Sequence, residues 1–323
     1  MGCQCALEGR SGETMRKQEA PFCVQVELVE GCNLFCNFCG LQGIREKPGN
    51  YRFADLEMLE DLAEQIASAG WTPRIEFAMH GEPSMHPQRE AAIRIFREHL
   101  PKAYLMMTSN GGGFLKGGIA ELFDAGLDTL ALDNYEYVKI VPKLLPGIEQ
   151  LGIPVFCYPN DKRGNPHNRW PTRRITIIED ISKATSGTNS SLNSHCGAAF
   201  DKKALMKPCA KPFREISVRH DGSVAICCND WRGELPMGNI KETLIDEIWT
   251  CELMERARRL LYLGRREFTP CDKCDAKSTR TGLLPDRLGK ERMPKPQEDD
   301  LEVLSKKRGY LTLPVLRPWE KTQ

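Results

Sequence analysis

Several features are missing from this sequence. No run approaches the roughly 20 apolar residues of a membrane-spanning helix. The opening segment, MGCQCALEGRSGET, has no apolar core of the kind an export signal carries, so a cytoplasmic location is expected. It begins Met-Gly, but Gln4-Cys5-Ala6-Leu7 lacks the Ser or Thr of a myristoylation signal. Charge of one sign is also missing. Lys and Arg total 45 against 44 Asp and Glu, a net charge of +1. The lack of a basic field argues against a dedicated nucleic-acid binder but not against a nucleotide substrate. There are no internal repeats. Apolar content of 41% and charged content of 28% are those of a globular domain.

Cysteine, by contrast, is abundant, with 14 in 323 residues. In a chain expected to stay in a reducing compartment, that number points to metal or redox chemistry rather than disulfides. The length suits one large domain and a smaller one. Strand and helix patterns alternate through the first two-thirds. CVQVELV (23–29) reads as a strand. DLEMLEDLAEQIASAG (55–70) reads as an amphipathic helix with Leu56, Leu59, Leu62, Ala63 and Ile66 on one face. RIEFAMHG, AYLMMTSNG, DTLALDN, IPVFCYP and RITIIED continue the strand series, with helical stretches between them. The expected fold is α/β, with about six βα units on a parallel sheet. That is a partial (β/α)6 barrel, short of the eight units of a closed one. The polar stretch 182–195 marks a boundary. Beyond it, EISVRHDGSVAICCND reads as two strands around the Asp221-Gly222 turn. A helix over 241–264, broken once, precedes PCDKCD. The expected division is an N-terminal extension (1–20), the barrel (21–195), a small α+β domain (196–284) and a surface tail (285–323).

Cys32, Cys36 and Cys39 lie in VELVEGCNLFCNFCG, on the loop after the first strand. A zinc site there would need a fourth ligand, for which His80 and His86 are candidates. The alternative is a 4Fe–4S cluster held by three thiolates, with one iron left open for chemistry. Farther along, Cys209, Cys227, Cys271 and Cys274 make a set of four, enough to close a zinc or cluster site. Cys23, Cys157 and Cys251 read as small buried residues. Cys3 and Cys5 fall in the end segment, and Cys228 adjoins Cys227 and could replace it.

The first cysteine stretch, with Phe38 before the third cysteine, resembles the signature of radical S-adenosylmethionine (SAM) enzymes. In that family SAM chelates the open iron, and an electron from the cluster cleaves SAM to methionine and a 5′-deoxyadenosyl radical. That radical takes a hydrogen atom from the substrate. His80-Gly81-Glu82-Pro83 resembles the family's Gly-Gly-Glu-Pro turn for the SAM ammonium, with Glu82 as charged partner. Ser109, Asn110 and Gly111, in TSNGGG, stand where the family places contacts to the SAM carboxylate and ribose. Asp133 and Asn134 close the fourth strand as candidates for SAM or substrate. The four-cysteine set, with DGSVAICC, GNI and EIW, resembles the twitch domain, a shortened SPASM module holding one auxiliary 4Fe–4S cluster. The resemblance covers roughly residues 22–282.

It implies an external electron donor such as flavodoxin or ferredoxin. It also implies a substrate among small polar molecules, peptide residues and nucleotides. No peptide-recognition winged helix precedes the barrel, which leans away from a leader-dependent peptide enzyme. If the auxiliary cluster accepts the substrate electron, the outcome is dehydrogenation or crosslinking. If a thiol returns hydrogen, the outcome is epimerisation or isomerisation. Cys196 is the candidate hydrogen-atom donor, and His195 stands where such enzymes often place an arginine near SAM and substrate. An arginine contact could instead come from RWPTRR (169–174). A protein with two zinc sites, acting as an interaction module, is the non-enzyme alternative.

Overall fold

The computed structural model describes residues 20–36, 38–43, 50–135, 138–158, 171–179, 194–199, 203–276 and 297–306. Cys3, Cys5, the 182–193 part of the boundary segment, Arg169 and Trp170 lie outside the described residues, as do 277–296 and 307–323.

β1 (Cys23–Val26) leads to a short pair, β2 (Val29–Glu30) with β3 (Arg52–Phe53). Then follow α1 (Leu56–Ser68), β4 (Arg74–Phe77), α2 (Arg89–His99), β5 (Tyr104–Ser109), α3 (Ile119–Asp124) and β6 (Thr129–Asp133). α4 (Val141–Glu149), β7 (Val155–Tyr158) and β8 (Arg174–Ile178) complete the series. Every adjacent pair in the order β1-β4-β5-β6-β8-β7 is parallel, so six strands make the partial barrel. β8 inserts between β6 and β7, an exchange of order that hydropathy does not encode.

β1 is buried along its whole length, as a parallel strand covered on both faces should be. α1 begins where Asp55 accepts a hydrogen bond from the Met58 amide at 2.7 Å, a side-chain N-cap. Its buried face is Met58, Leu59, Leu62, Ala63 and Ile66. Leu56 is only partly covered, and Met58 fills the position expected for it.

The C-terminal part continues the same sheet. α5 (Lys211–Arg214) enters β9 (Glu215–Val218), which pairs parallel with β1 from Cys23↔Glu215 to Val26↔Val218. Ser217 Oγ donates to Gln25 Oε1 across this seam at 3.1 Å. β10 (Ser223–Ala225) folds back on β9 around Asp221-Gly222, and β11 (Pro236–Asn239) adds to its far side. The long helix is α6 (Ile245–Trp249) and α7 (Glu252–Tyr262). The break falls at Thr250–Cys251. Cys251, expected as a buried helical residue, instead caps α7 by accepting from the Met254 amide at 3.5 Å.

Part of the tail is docked. α8 (Asp300–Lys306) packs Leu304, 1% exposed, against α7. Asp300 takes a two-pronged bond from Arg259, Nε to Oδ2 at 2.9 Å and Nη2 to Oδ1 at 2.7 Å. Among the described residues no helix is long and apolar enough to cross a membrane.

Candidate active site

The loop after β1 and the turns after β4, β5 and β6 meet at one end of the sheet. Active sites of parallel α/β folds gather at the C-terminal ends of the strands for this reason. Cys32 Sγ accepts from the Leu34 amide at 3.3 Å and from Asn110 Nδ2 at 3.5 Å. Asn110 Nδ2 also donates to Asn33 Oδ1 at 2.9 Å, so the TSNGGG turn is tied to the cysteine loop. The Cys39 amide bonds the Cys36 carbonyl at 3.1 Å. Phe38 stacks on Tyr135 at 6.1 Å between centroids, bringing in the end of β6.

Glu82 joins two of these turns. Oε1 accepts from the Ser84 amide at 2.9 Å and from Ser109 Oγ at 2.5 Å, and Oε2 accepts from the Asn110 amide at 2.7 Å. Burial raises its carboxyl, and these hydrogen bonds pull the other way. Both oxygens therefore already bond the chain's own donors, beyond the direct ligand role expected for Glu82. The turn also needs its glycines. A Cβ on Gly81 would sit 1.7 Å from the Val29 carbonyl oxygen, and Gly111 has φ +80°. Pro83 opens the following 3-10 turn (Pro83–Met85).

Asp133 Oδ1 is buried without a hydrogen-bond partner among the described residues, while Tyr135 Oη donates to Oδ2 at 3.4 Å. Burial, then the Glu82 charge, pushes the Asp133 carboxyl up to about 7. An unpaired buried acceptor beside glycine turns is a vacancy that a ligand donor suits. Asn134 closes the strand by donating its amide to the Ile178 carbonyl at 3.0 Å.

His80, the departure from the family's glycine, has a structural explanation. Its Nδ1 lies 3.0 Å from Glu27 Oε1, its Nε2 lies 3.1 Å from the Cys228 carbonyl, and its ring is 4.7 Å from Trp231. Burial alone would raise Glu27, but His80, His220 and Arg219 hold it well below the usual carboxylate range. Trp231 packs at 4.7 Å against His195 as well, and a Cβ on Gly40 would approach its indole to 2.7 Å. It therefore bridges the residue after Cys39 and the C-terminal domain. Sequence reasoning missed both Trp231 and Glu27. An aromatic just after the cysteine pair in CCNDW and a carboxylate in a buried strand were the available signals.

Cys209, Cys227, Cys271 and Cys274 line one narrow cavity of about 10 Å³, together with Lys211 and Arg266. The Cys209 amide is anchored on the Leu261 carbonyl at the end of α7, 2.9 Å away. Cys227 follows β10, and Cys271 opens the 3-10 turn Cys271–Lys273. Burial raises the thiols of Cys209, Cys227 and Cys271. Cys274 is lowered to about 7, first by a hydrogen bond from Cys196. Cys228 does not line the cavity. Its sulfur accepts from Lys211 Nζ at 3.1 Å.

Cys196 also lines this cavity, packed against Cys274, rather than facing the turns around Cys32. His195 lies against Trp231 and bonds Asn229; burial lowers its imidazole to about 4. Among the described residues, no three thiols of either set come within 4.8 Å of one another.

Comparison with known proteins agrees with this geometry. Residues 26–134 match the Radical SAM superfamily, and residues 209–275 match SPASM, an iron-sulfur cluster-binding domain. Residues 26–134 are thus a radical SAM domain and residues 209–275 a domain of the SPASM/twitch type, and SAM and iron–sulfur clusters are the cofactors these domains take. It is 22% identical over 263 residues to the S-adenosyl-L-methionine-dependent 2-deoxy-scyllo-inosamine dehydrogenase of Niallia circulans, covering 80% of this chain and 94% of that one. A probable GTP 3′,8-cyclase of Halobacterium salinarum is 28% identical over 138 residues, 39% of this chain and 38% of its own length. The fold is shared with the crystal structure of BtrN in complex with AdoMet and 2-DOIA. The TM-score there is 0.61 at 19% identity, covering 83% of this chain and 98% of that one.

Proposed function

We propose that Cys32, Cys36 and Cys39 hold a 4Fe–4S cluster whose open iron takes SAM, and that Cys209, Cys227, Cys271 and Cys274 hold a closed auxiliary one. The reaction is dehydrogenation of a small polar molecule of the aminocyclitol or sugar-alcohol class. The observation that carries this reading is the single buried cavity lined by all four distal thiols. A closed set leaves no iron for substrate, which suits electron acceptance.

With both cofactors bound, reductive cleavage of SAM would supply a 5′-deoxyadenosyl radical able to take the carbon-bound hydrogen atom of the alcohol, and the distal cluster would offer an acceptor for the electron that leaves as the hydroxyl loses its proton and the ketone forms. The chain's own residues seat and orient. Glu82 fixes the HGEP and TSNGGG turns against each other, Phe38 and Tyr135 wall the site, and Asp133 Oδ1 awaits a donor from SAM or substrate. A flavodoxin- or ferredoxin-type protein supplies the first electron. The position of Cys196 in the distal cavity favours oxidation over return of hydrogen by that thiol. The name of the Niallia circulans relative supports the alcohol class, and peptide residues and nucleotides are the competing substrates.

The test is anaerobic incubation of reduced enzyme and SAM with 2-deoxy-scyllo-inosamine and related aminocyclitols, following 5′-deoxyadenosine and ketone product. Both should form in equal amounts with a matching alcohol. An epimer with no ketone would overturn the dehydrogenase reading.

A further inference from the structure

Arg265, Arg266 and Glu267 follow α7, and only the middle one is buried. Arg265 Nε and Glu267 Oε1 face each other at the surface, 3.4 Å apart, whereas Arg266 is 1% exposed. The Arg266 guanidinium reaches three backbone carbonyls. Nε donates to Lys207 at 3.1 Å, Nη1 to Cys274 at 3.0 Å and Nη2 to Ala276 at 3.3 Å. These carbonyls satisfy the N–H groups, but they carry no charge. The other buried arginines Arg219, Arg258 and Arg259 face the carboxylates of Glu27, Glu255 and Asp300 in turn. Arg266 makes no ion pair with a carboxylate among the described residues.

A buried charge without a counter-charge is costly, so such groups are paired or set against an ion. What Arg266 does face is the distal cavity, which it lines with Cys209, Cys227, Cys271 and Cys274. Lys211 is the other cation of the lining, and its charge is matched, with Nζ 3.0 Å from Glu215 Oε2. Arg266 therefore leaves one positive charge over at the cavity wall. Four thiolates and an iron–sulfur core form a net anion, the counter-charge that the described residues lack. The guanidinium is also fixed in place. Its three hydrogen bonds tie the segment leading into Cys209 to the backbone at and after Cys274, so the charge cannot swing out to solvent.

We propose that Arg266 is the buried counter-charge of the auxiliary cluster and raises its reduction potential. The proposal rests on the reading that the four thiols hold that cluster. Reduction adds one negative charge, and a fixed cation at the cavity wall stabilises the reduced form more than the oxidised one. Burial keeps salt and solvent from screening the interaction. The charge makes the auxiliary cluster a better acceptor for the substrate electron.

The experiment compares full-length wild type, Arg266→Gln and Arg266→Lys, each reconstituted anaerobically. Iron and sulfide are counted, and the auxiliary signal is titrated by electron paramagnetic resonance against potential. Gln removes the charge and keeps a donor; Lys keeps the charge and loses the three-way fork. The expected result is unchanged iron in both variants, a more negative auxiliary midpoint in Arg266→Gln, and a midpoint near wild type in Arg266→Lys. A tenfold loss of preference for the reduced form reads as about 59 mV for one electron. Loss of auxiliary iron from Arg266→Gln alone would also support the proposal, since only the charge separates the two variants in that outcome. An unmoved midpoint in Arg266→Gln would overturn it. So would an equal effect in both variants, whether on midpoint or on iron, because the carbonyl bonds and not the charge would then be the cause. Wild type carrying iron for only one cluster would instead overturn the cluster assignment itself, before any variant is compared.

Discussion

Asp133 is the residue at the first site with an unmet bonding capacity. Its Oδ1 is buried without a partner among the described residues, and its carboxyl is pushed up to about 7 by burial and by Glu82. Below that pH the group is neutral and accepts weakly; above it the carboxylate accepts a charge-assisted bond. Affinity for SAM, measured by anaerobic calorimetry, is therefore expected to rise between pH 6 and pH 8. In Asp133→Asn the rise should vanish and binding at pH 8 should weaken by about tenfold, the worth of one hydrogen bond to a charged group. At this scale Cys32, Cys36 and Cys39 stand out in the sequence because their spacing is local, whereas Cys209 and Cys227 lie far along the chain from Cys271 and Cys274 and meet only in the folded cavity. Trp231 does not stand out. Its contacts with His80 and His195 join residues far apart in the chain, and a single aromatic leaves no periodic trace. The role of Cys196 was half legible: its residue type marked it, but only the fold shows which site it faces.

The elements show a similar division. Alternating strand and helix patterns gave the parallel units, and Asp221-Gly222 gave the β9–β10 hairpin. The break between α6 and α7 was expected, though the cap that makes it, Cys251, was not. The β8 insertion between β6 and β7 and the addition of β11 depend on nonlocal pairing, which hydropathy does not record. α8 lies in a proline-rich, charged stretch whose composition resembles a loose tail. What holds it is the buried Arg259–Asp300 pair, a contact with no local signature. Asp300→Ala leaves that guanidinium with Glu252 as its remaining partner and should cost about 2 kcal/mol, the worth of a hydrogen bond to a charged group. Urea unfolding should show the loss, and hydrogen exchange should show residues 297–306 released from α7. Unchanged protection there would mean that Leu304 alone docks the helix.

On the scale of the whole molecule, one sheet carries both sites. β9 pairs with β1, so the strand that leads into Cys32 lies beside the strand that leads through the hairpin to Cys227. Glu27 just after β1 and His220 in the β9–β10 turn meet at 3.1 Å across the same seam, and Trp231 spans the gap above it. The set of three thiols and the set of four are thus carried by one continuous sheet. The most direct test is metal content. Anaerobically purified protein should be brown and hold about eight irons and eight sulfides per chain. Cys32→Ser/Cys36→Ser/Cys39→Ser should keep about four, as should Cys271→Ser/Cys274→Ser, each retaining the other cluster. Colourless protein holding zinc, or a first triple variant that loses all its iron, would contradict two separate clusters.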